Sequence, residues 1–149
     1  MRQGVRVALD IGAKRIGVAR CDRDGILAVP LDTIAGDDPS WIMSVQRLLA
    51  EYDAIECIVG DPVSLSGTAA LASRAVRERA QSLADATPGL AVRMVDERLT
   101  TAQALKDLRS AGKTARTSRA SVDAQAAVGI LEFALEFERR TGTPAGELL

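Results

Sequence analysis

The stretch that most constrains the fold is VRVALDIGAKRIGVA, from Val5 to Ala19. An apolar, β-branched run ends on one carboxylate, Asp10, and a second strand-type run begins after Gly12-Ala13-Lys14, which specifies a strand pair with an acid at its tip. Val5, Val7 and Leu9 alternate with Arg6 and Ala8, so Asp10 continues the less apolar face, just before a glycine that lets the backbone open towards a ligand. Two roles stay open for this acid: a bond to the turn amides of Gly12 and Ala13, or contact with a ligand.

The remaining elements follow in chain order. Strands are expected over Val5–Asp10, Arg15–Cys21 and Ile26–Leu31, a meander whose second turn is marked by Asp22-Arg23-Asp24-Gly25. Asp38 is the expected N-cap and Pro39 the first position of a helix reaching about Tyr52, with Ile42, Val45, Leu48 and Leu49 facing inwards and Trp41 and Met43 as packing residues. Ala54–Gly60 is a short strand buried on both faces, Thr68–Ala86 a long helix stopped by Pro88-Gly89, and Leu90–Val95 a fifth strand. Strand, helix and strand of these lengths imply a right-handed crossover and parallel pairing. With 149 residues, 47% of them hydrophobic, the chain has the size of one domain, expected over 1–141, and 142–149 reads as a flexible tail.

Composition removes several chemistries. Histidine is absent, which excludes Ser-His-Asp and Cys-His relays, imidazole zinc sites and a histidine base, so hydrolysis would most simply use carboxylates and a metal-bound water. Cys21 and Cys57 are too few and too far apart for a disulfide framework or a CxxC site, and read as reduced thiols of a cytoplasmic protein. No signal peptide and no membrane span are visible. A net charge of −1 does not make a general polyanion binder. Binding to nucleic acid would need a local patch, and Lys106, Arg109, Lys113, Arg116 and Arg119 supply the best candidate, with a solvated charged loop as the alternative.

Further acids stand at three informative places. Asp61 follows the strand ending at Gly60, and Asp96-Glu97 follows the strand ending at Val95, both at carboxyl ends of parallel strands, where open α/β sheets place ligands. Thr100 and Gln103 fit a capping box for a next helix carrying Ala104, Leu105 and Leu108. The last helix, Ser121–Arg140, has Ala126, Ala127, Ile130, Leu131, Phe133, Ala134 and Phe137 on one broad arc. Asp123 points into the middle of that arc while Glu132, Glu136, Arg139 and Arg140 lie opposite, so its carboxylate must be paired, capped or bound to a metal.

LDIGAKRIG at Leu9–Gly17, IVG at Ile58–Gly60, DERLTT at Asp96–Thr101 and SVDAQAAVGIL at Ser121–Leu131 together resemble the YqgF/RuvX family of Holliday-junction resolvases, over nearly the whole chain. The resemblance implies a ribonuclease H-like α/β fold: a five-stranded mixed sheet, an antiparallel three-strand meander plus two parallel strands, flanked by helices. It further implies a divalent-metal nuclease whose acids correspond to Asp10, Glu97 and Asp123, and a connection with maturation of the small-subunit ribosomal RNA precursor. One departure is visible, Asp61-Pro62 where the family usually has Leu-Pro.

These carboxylates suit Mg2+ or Mn2+, with Asp10 as the bridging ligand, Glu97 and Asp123 flanking, and Asp61 as a possible auxiliary ligand or a turn cap. Arg15 and Arg98 are read either as phosphate contacts or as salt-bridge partners of nearby acids. With one Trp, one Tyr and two Phe, recognition of backbone and shape is expected, on a structured RNA precursor or a branched DNA. Rival readings are a non-catalytic RNA- or protein-binding module of the same fold and an actin-like ATPase fragment. Assembly is expected as a monomer, with the long helix covering the surplus of the last helix's arc, or as a two-fold dimer through Phe133 and Phe137.

Overall fold

The computed structural model describes residues 1–63, 67–100 and 116–149, without side chains at 67–69 and 116–121. Its centre is β1 (Arg6–Ile11), every residue of which is buried, as a strand covered on both faces must be. β1 pairs antiparallel with β2 (Arg15–Cys21) and parallel with β4 (Glu56–Asp61), so the Asp10 strand lies in the middle of the order β3-β2-β1-β4-β5-β6. β3 (Ala28–Ala35) completes the meander and β5 (Ala91–Asp96) pairs parallel with β4.

β6 (Glu147–Leu148) makes a sixth strand where five were expected. It is two residues long and shows no period to read, yet it covers the edge that β5 would otherwise expose. The segment 142–149 folds back through Gly142 and Gly146, at φ 76° and 84°, buries Ala145, and ends with the Leu149 amide donating to the Val92 carbonyl at 2.9 Å. It is therefore part of the sheet layer, whereas the sequence reads as a tail. β3 begins later than expected because the Asp22 carboxylate accepts from the amides of Ile26 and Leu27, at 2.8 and 2.7 Å, and holds both residues in the turn. Both side chains are exposed.

α1 (Trp41–Glu51) and α2 (Gly67–Ala86) cover one face of the sheet, and α3 (Arg116–Thr141) covers the other. Under α1 and α2 lie Val7, Leu9, Ile16, Val18, Cys57 and Val59; under α3 lie Ala8, Ala19, Cys21 and Ile58. Asp38 caps as an Asx turn, accepting from the Ser40 amide at 2.8 Å, so the helix starts beyond Ser40. Trp41 packs inwards, whereas Met43 points out, 55% exposed. α2 lies across the sheet from α3, the result of its crossover between β4 and β5. It therefore cannot cover the surplus apolar arc of α3, the cover expected for a monomer. The helix expected after Thr100 falls in 101–115, outside the described residues.

At the end of the sheet away from Asp10, a buried ion network ties the N-terminus to α3. Arg6, 1% exposed, meets Glu138 at 2.8 Å; Arg2 meets Glu138 at 2.6 Å and Glu56 at 3.1 Å; and Arg93 meets Glu56 at 2.9 Å.

Candidate active site

The site is built on one row of residues across the sheet. Asp10 pairs with Gly17 of β2, and the parallel register Leu9 to Val59 continues to place Gly60 of β4 on its other side. Opposed residues of neighbouring strands face the same side, so Gly17, Asp10 and Gly60 all face α3. Both glycines are required by what stands above them. A Cβ on Gly17 would lie 2.0 Å from the Asp123 carbonyl oxygen, and a Cβ on Gly60 would lie 2.7 Å from Glu97 Oε1 and 2.5 Å from Ile130 Cδ1. The missing side chains let the backbone at Asp123 descend on one side of Asp10 and the Glu97 carboxylate on the other.

Three elements thus bring Asp10, Glu97 and Asp123 together, and they are 3%, 1% and 2% exposed. The choice between the adjacent acids at 96 and 97 is made by a 3-10 turn over Glu97–Leu99. Asp96 caps it, accepting from the Arg98 amide at 2.9 Å, and also pairs with the Arg98 guanidinium at 2.7 Å. That hydrogen bonding holds the Asp96 carboxyl below the usual carboxylate range. The turn sends Asp96 outwards and Glu97 into the sheet. Asp123 is met by Arg15, Nε to Oδ2 at 2.8 Å, with the Arg15 side chain 35% exposed at the rim.

Asp61 belongs to the other face. Its carboxylate accepts from Ser73 Oγ at 2.6 Å and Arg77 Nε at 2.8 Å, which anchors α2 to the end of β4. Arg15 and Arg98 are both in salt bridges in this structure. Lys113 lies outside the described residues, as do Lys106 and Arg109; Arg116 and Arg119 fall in the first turns of α3. One positioning residue escaped the sequence reading. Arg79 of α2 donates to the carbonyls of Gly12 at 2.9 Å and Gly36 at 2.6 Å and stacks 4.7 Å above the Trp41 ring, so it fastens the turn between Asp10 and Arg15.

The donors suit a hard divalent cation: three carboxylates and no competing thiolate on that face near them other than Cys21, four residues beyond Gly17 along β2. Among the described residues no three His, Cys, Asp or Glu side chains stand as a group that could hold a metal ion. Mg2+ keeps several waters and is commonly held by one or two carboxylates, so fewer than three of these acids would suffice to hold it. A cavity of about 340 Å3 adjoins the Glu97 turn, walled by Leu99, Asp96, Phe133 and Phe137.

Comparison with known proteins agrees with this architecture. A structure of Thermus thermophilus RuvC in complex with a Holliday junction substrate superposes with a TM-score of 0.61 at 17% identity, over 96% of this chain and 99% of that one, and shares its ribonuclease H-like fold. A Streptomyces coelicolor relative is 47% identical over 99% of this chain and 89% of its own length; one from Thermobifida fusca is 47% identical over 100% and 98%. Both carry the name "Putative pre-16S rRNA nuclease". The family model described as RuvX, Holliday junction resolvase, matches residues 4–137, and the chain belongs to that family.

Proposed function

We propose that this protein is a divalent-metal-dependent nuclease that hydrolyses phosphodiester bonds in the precursor of small-subunit ribosomal RNA. The observation that carries the reading is the placing of three buried carboxylates, from β1, the turn after β5 and α3, on one face of the sheet about the glycine-flanked Asp10 row. Carboxylate oxygens gathered on one face are the donors that a hard divalent cation takes. The relatives' shared name favours RNA; branched DNA is the second reading, favoured by the family description and by the junction bound to the structural neighbour.

A bound Mg2+ or Mn2+ would supply charge neutralisation at the phosphate and an activated water. Asp10, between the other two acids, would be the central ligand, with Glu97 and Asp123 as flanking ligands. Asp61, with both oxygens engaged by α2, is a positioning residue. Arg15 balances Asp123 and turns its guanidinium to a substrate phosphate when that carboxylate is engaged elsewhere. Arg98 contacts phosphate at the rim, and Lys113, Arg116 and Arg119 are further candidate phosphate contacts. A ribosomal RNA substrate implies a cytoplasmic protein, in keeping with unbridged Cys21 and Cys57, and no described helix is long and apolar enough to cross a membrane.

Side-by-side cleavage of a labelled precursor RNA and a labelled four-way DNA junction, with Mg2+ and with Mn2+, tests the proposal. Metal-dependent cutting of RNA that Asp10→Asn abolishes is the expected result. Cutting of the junction alone gives the DNA reading, and binding without cleavage of either gives a non-catalytic module.

A further inference from the structure

The chain has four aromatic residues, and two of them are spent on packing under arginines: Trp41 beneath Arg79 and Tyr52 beneath Arg20, each at 4.7 Å. The other two, Phe133 and Phe137, stand one turn apart on the helix that carries Asp123, with ring centroids 6.1 Å apart. Phe137 is 37% exposed, and Phe133 is half-buried against the core beneath α3. They line the cavity beside the Glu97 turn, together with Val63 and with Leu99, which is 63% exposed two residues after Glu97. Asp96 and Leu99, on either side of Glu97, line the opening, so a strand that leaves the carboxylates past the Glu97 turn passes it.

We propose that this cavity receives one unstacked nucleobase of the substrate strand, next to the phosphate being cut. The inference rests on the nuclease reading and names a subsite for it. Size, walls and charge all select a base. At about 340 Å3 the cavity is at the small end of ligand pockets, roughly 300–1,000 Å3, so it holds a single ring system and not a stacked pair. Its apolar and aromatic walls offer π-faces to any base. Its polar rim pairs Asp61 and Glu147 with Arg77, and Asp96 with Arg98, so its charges are largely balanced, and the partly exposed carboxylates of Asp96 and Glu147 can accept hydrogen bonds from exocyclic amino groups. A backbone held by the carboxylate site and a base held here would fix the strand at two points and orient the scissile bond.

The test uses the full-length protein with Ca2+ in place of Mg2+, and a labelled precursor RNA into which a single abasic nucleotide is moved position by position. One position is expected to weaken binding about tenfold, the loss of one base–aromatic stack. Phe133→Ala and Phe137→Ala, and the surface variant Leu99→Ser that leaves the core untouched, should weaken intact RNA by a similar factor and show no further loss on the abasic RNA. A flat abasic scan with a parent protein that still cleaves intact RNA overturns the base pocket while the nuclease reading stands. A concentration-dependent dimer that Phe137→Ala dissociates, with the scan flat, would assign the cavity to a second copy instead. Failure of the parent to cut RNA or DNA with any divalent metal removes the nuclease reading and the pocket with it.

Discussion

At the scale of single residues, the site depends as much on missing side chains as on carboxylates. Gly60→Ala would push a methyl group against Glu97 Oε1 and Ile130 Cδ1, end groups that can yield. The expected cost is about 1–3 kcal/mol of stability from overpacking, with cleavage down about 100-fold because Glu97 is misplaced. Gly17→Ala meets the Asp123 backbone, which cannot yield, and should unfold at markedly lower urea. Urea melts and single-turnover cleavage on both variants check the contrast. Asp61→Asn should lower stability by about 1–2 kcal/mol, kept small because Arg77 is half exposed and screened. It should leave the Mg2+ activation midpoint unchanged, and a shift to higher Mg2+ would make Asp61 a ligand after all. Asp123 was legible in the sequence because helical periodicity places it on the apolar arc. Periodicity could not separate Asp96 from Glu97, since a 3-10 turn has no period long enough to read, and only the DERLTT motif singled out Glu97. Gly17 and Gly60 carried a usable signal, an isolated glycine inside a strand, which marks a close approach from above.

At the scale of elements, the meander could be read from alternation and turn residues, and the parallel pair from the lengths of strand, helix and strand. β6 could not, because a two-residue strand is specified by the edge it covers and not by its own pattern. Ending the chain at Gly142 should therefore do more than trim a tail: the β5 edge would lie open, and the shortened protein should lose stability and aggregate on concentration, as light scattering would report. The turn that carries Asp10 has a similar outside support. Arg79→Ala would release the Gly12 and Gly36 carbonyls and the Trp41 stack. Cleavage should fall more than the melting temperature accounts for, while Arg79→Lys, unable to bridge both carbonyls, should recover only part of the rate.

At the scale of the whole molecule, the cleaving end and the tied-down end of the sheet respond to different conditions. Burial works to raise the Glu138 pKa, but the hydrogen bond from Arg2 and the charges of Arg6 and Arg2 outweigh it, and the carboxyl sits below its ordinary value. A depressed folded pKa stabilises fully above the unfolded value, about 4.3, and that contribution disappears as pH falls through the folded value. Urea midpoints should therefore hold level from neutral pH down to about 5 and fall below about 4, with Glu138→Gln flattening the acid limb. Cys57 offers a way to watch the same molecule open. Its thiol is wholly buried in the core under α1 and α2, and burial pushes its pKa up to about 12, so in the closed protein it is neither accessible nor ionised. Alkylation of Cys57 then becomes a stopwatch on rare openings of the sheet, started without any added probe: cations or RNA that settle on the carboxylate end should slow it in proportion to how tightly they bind.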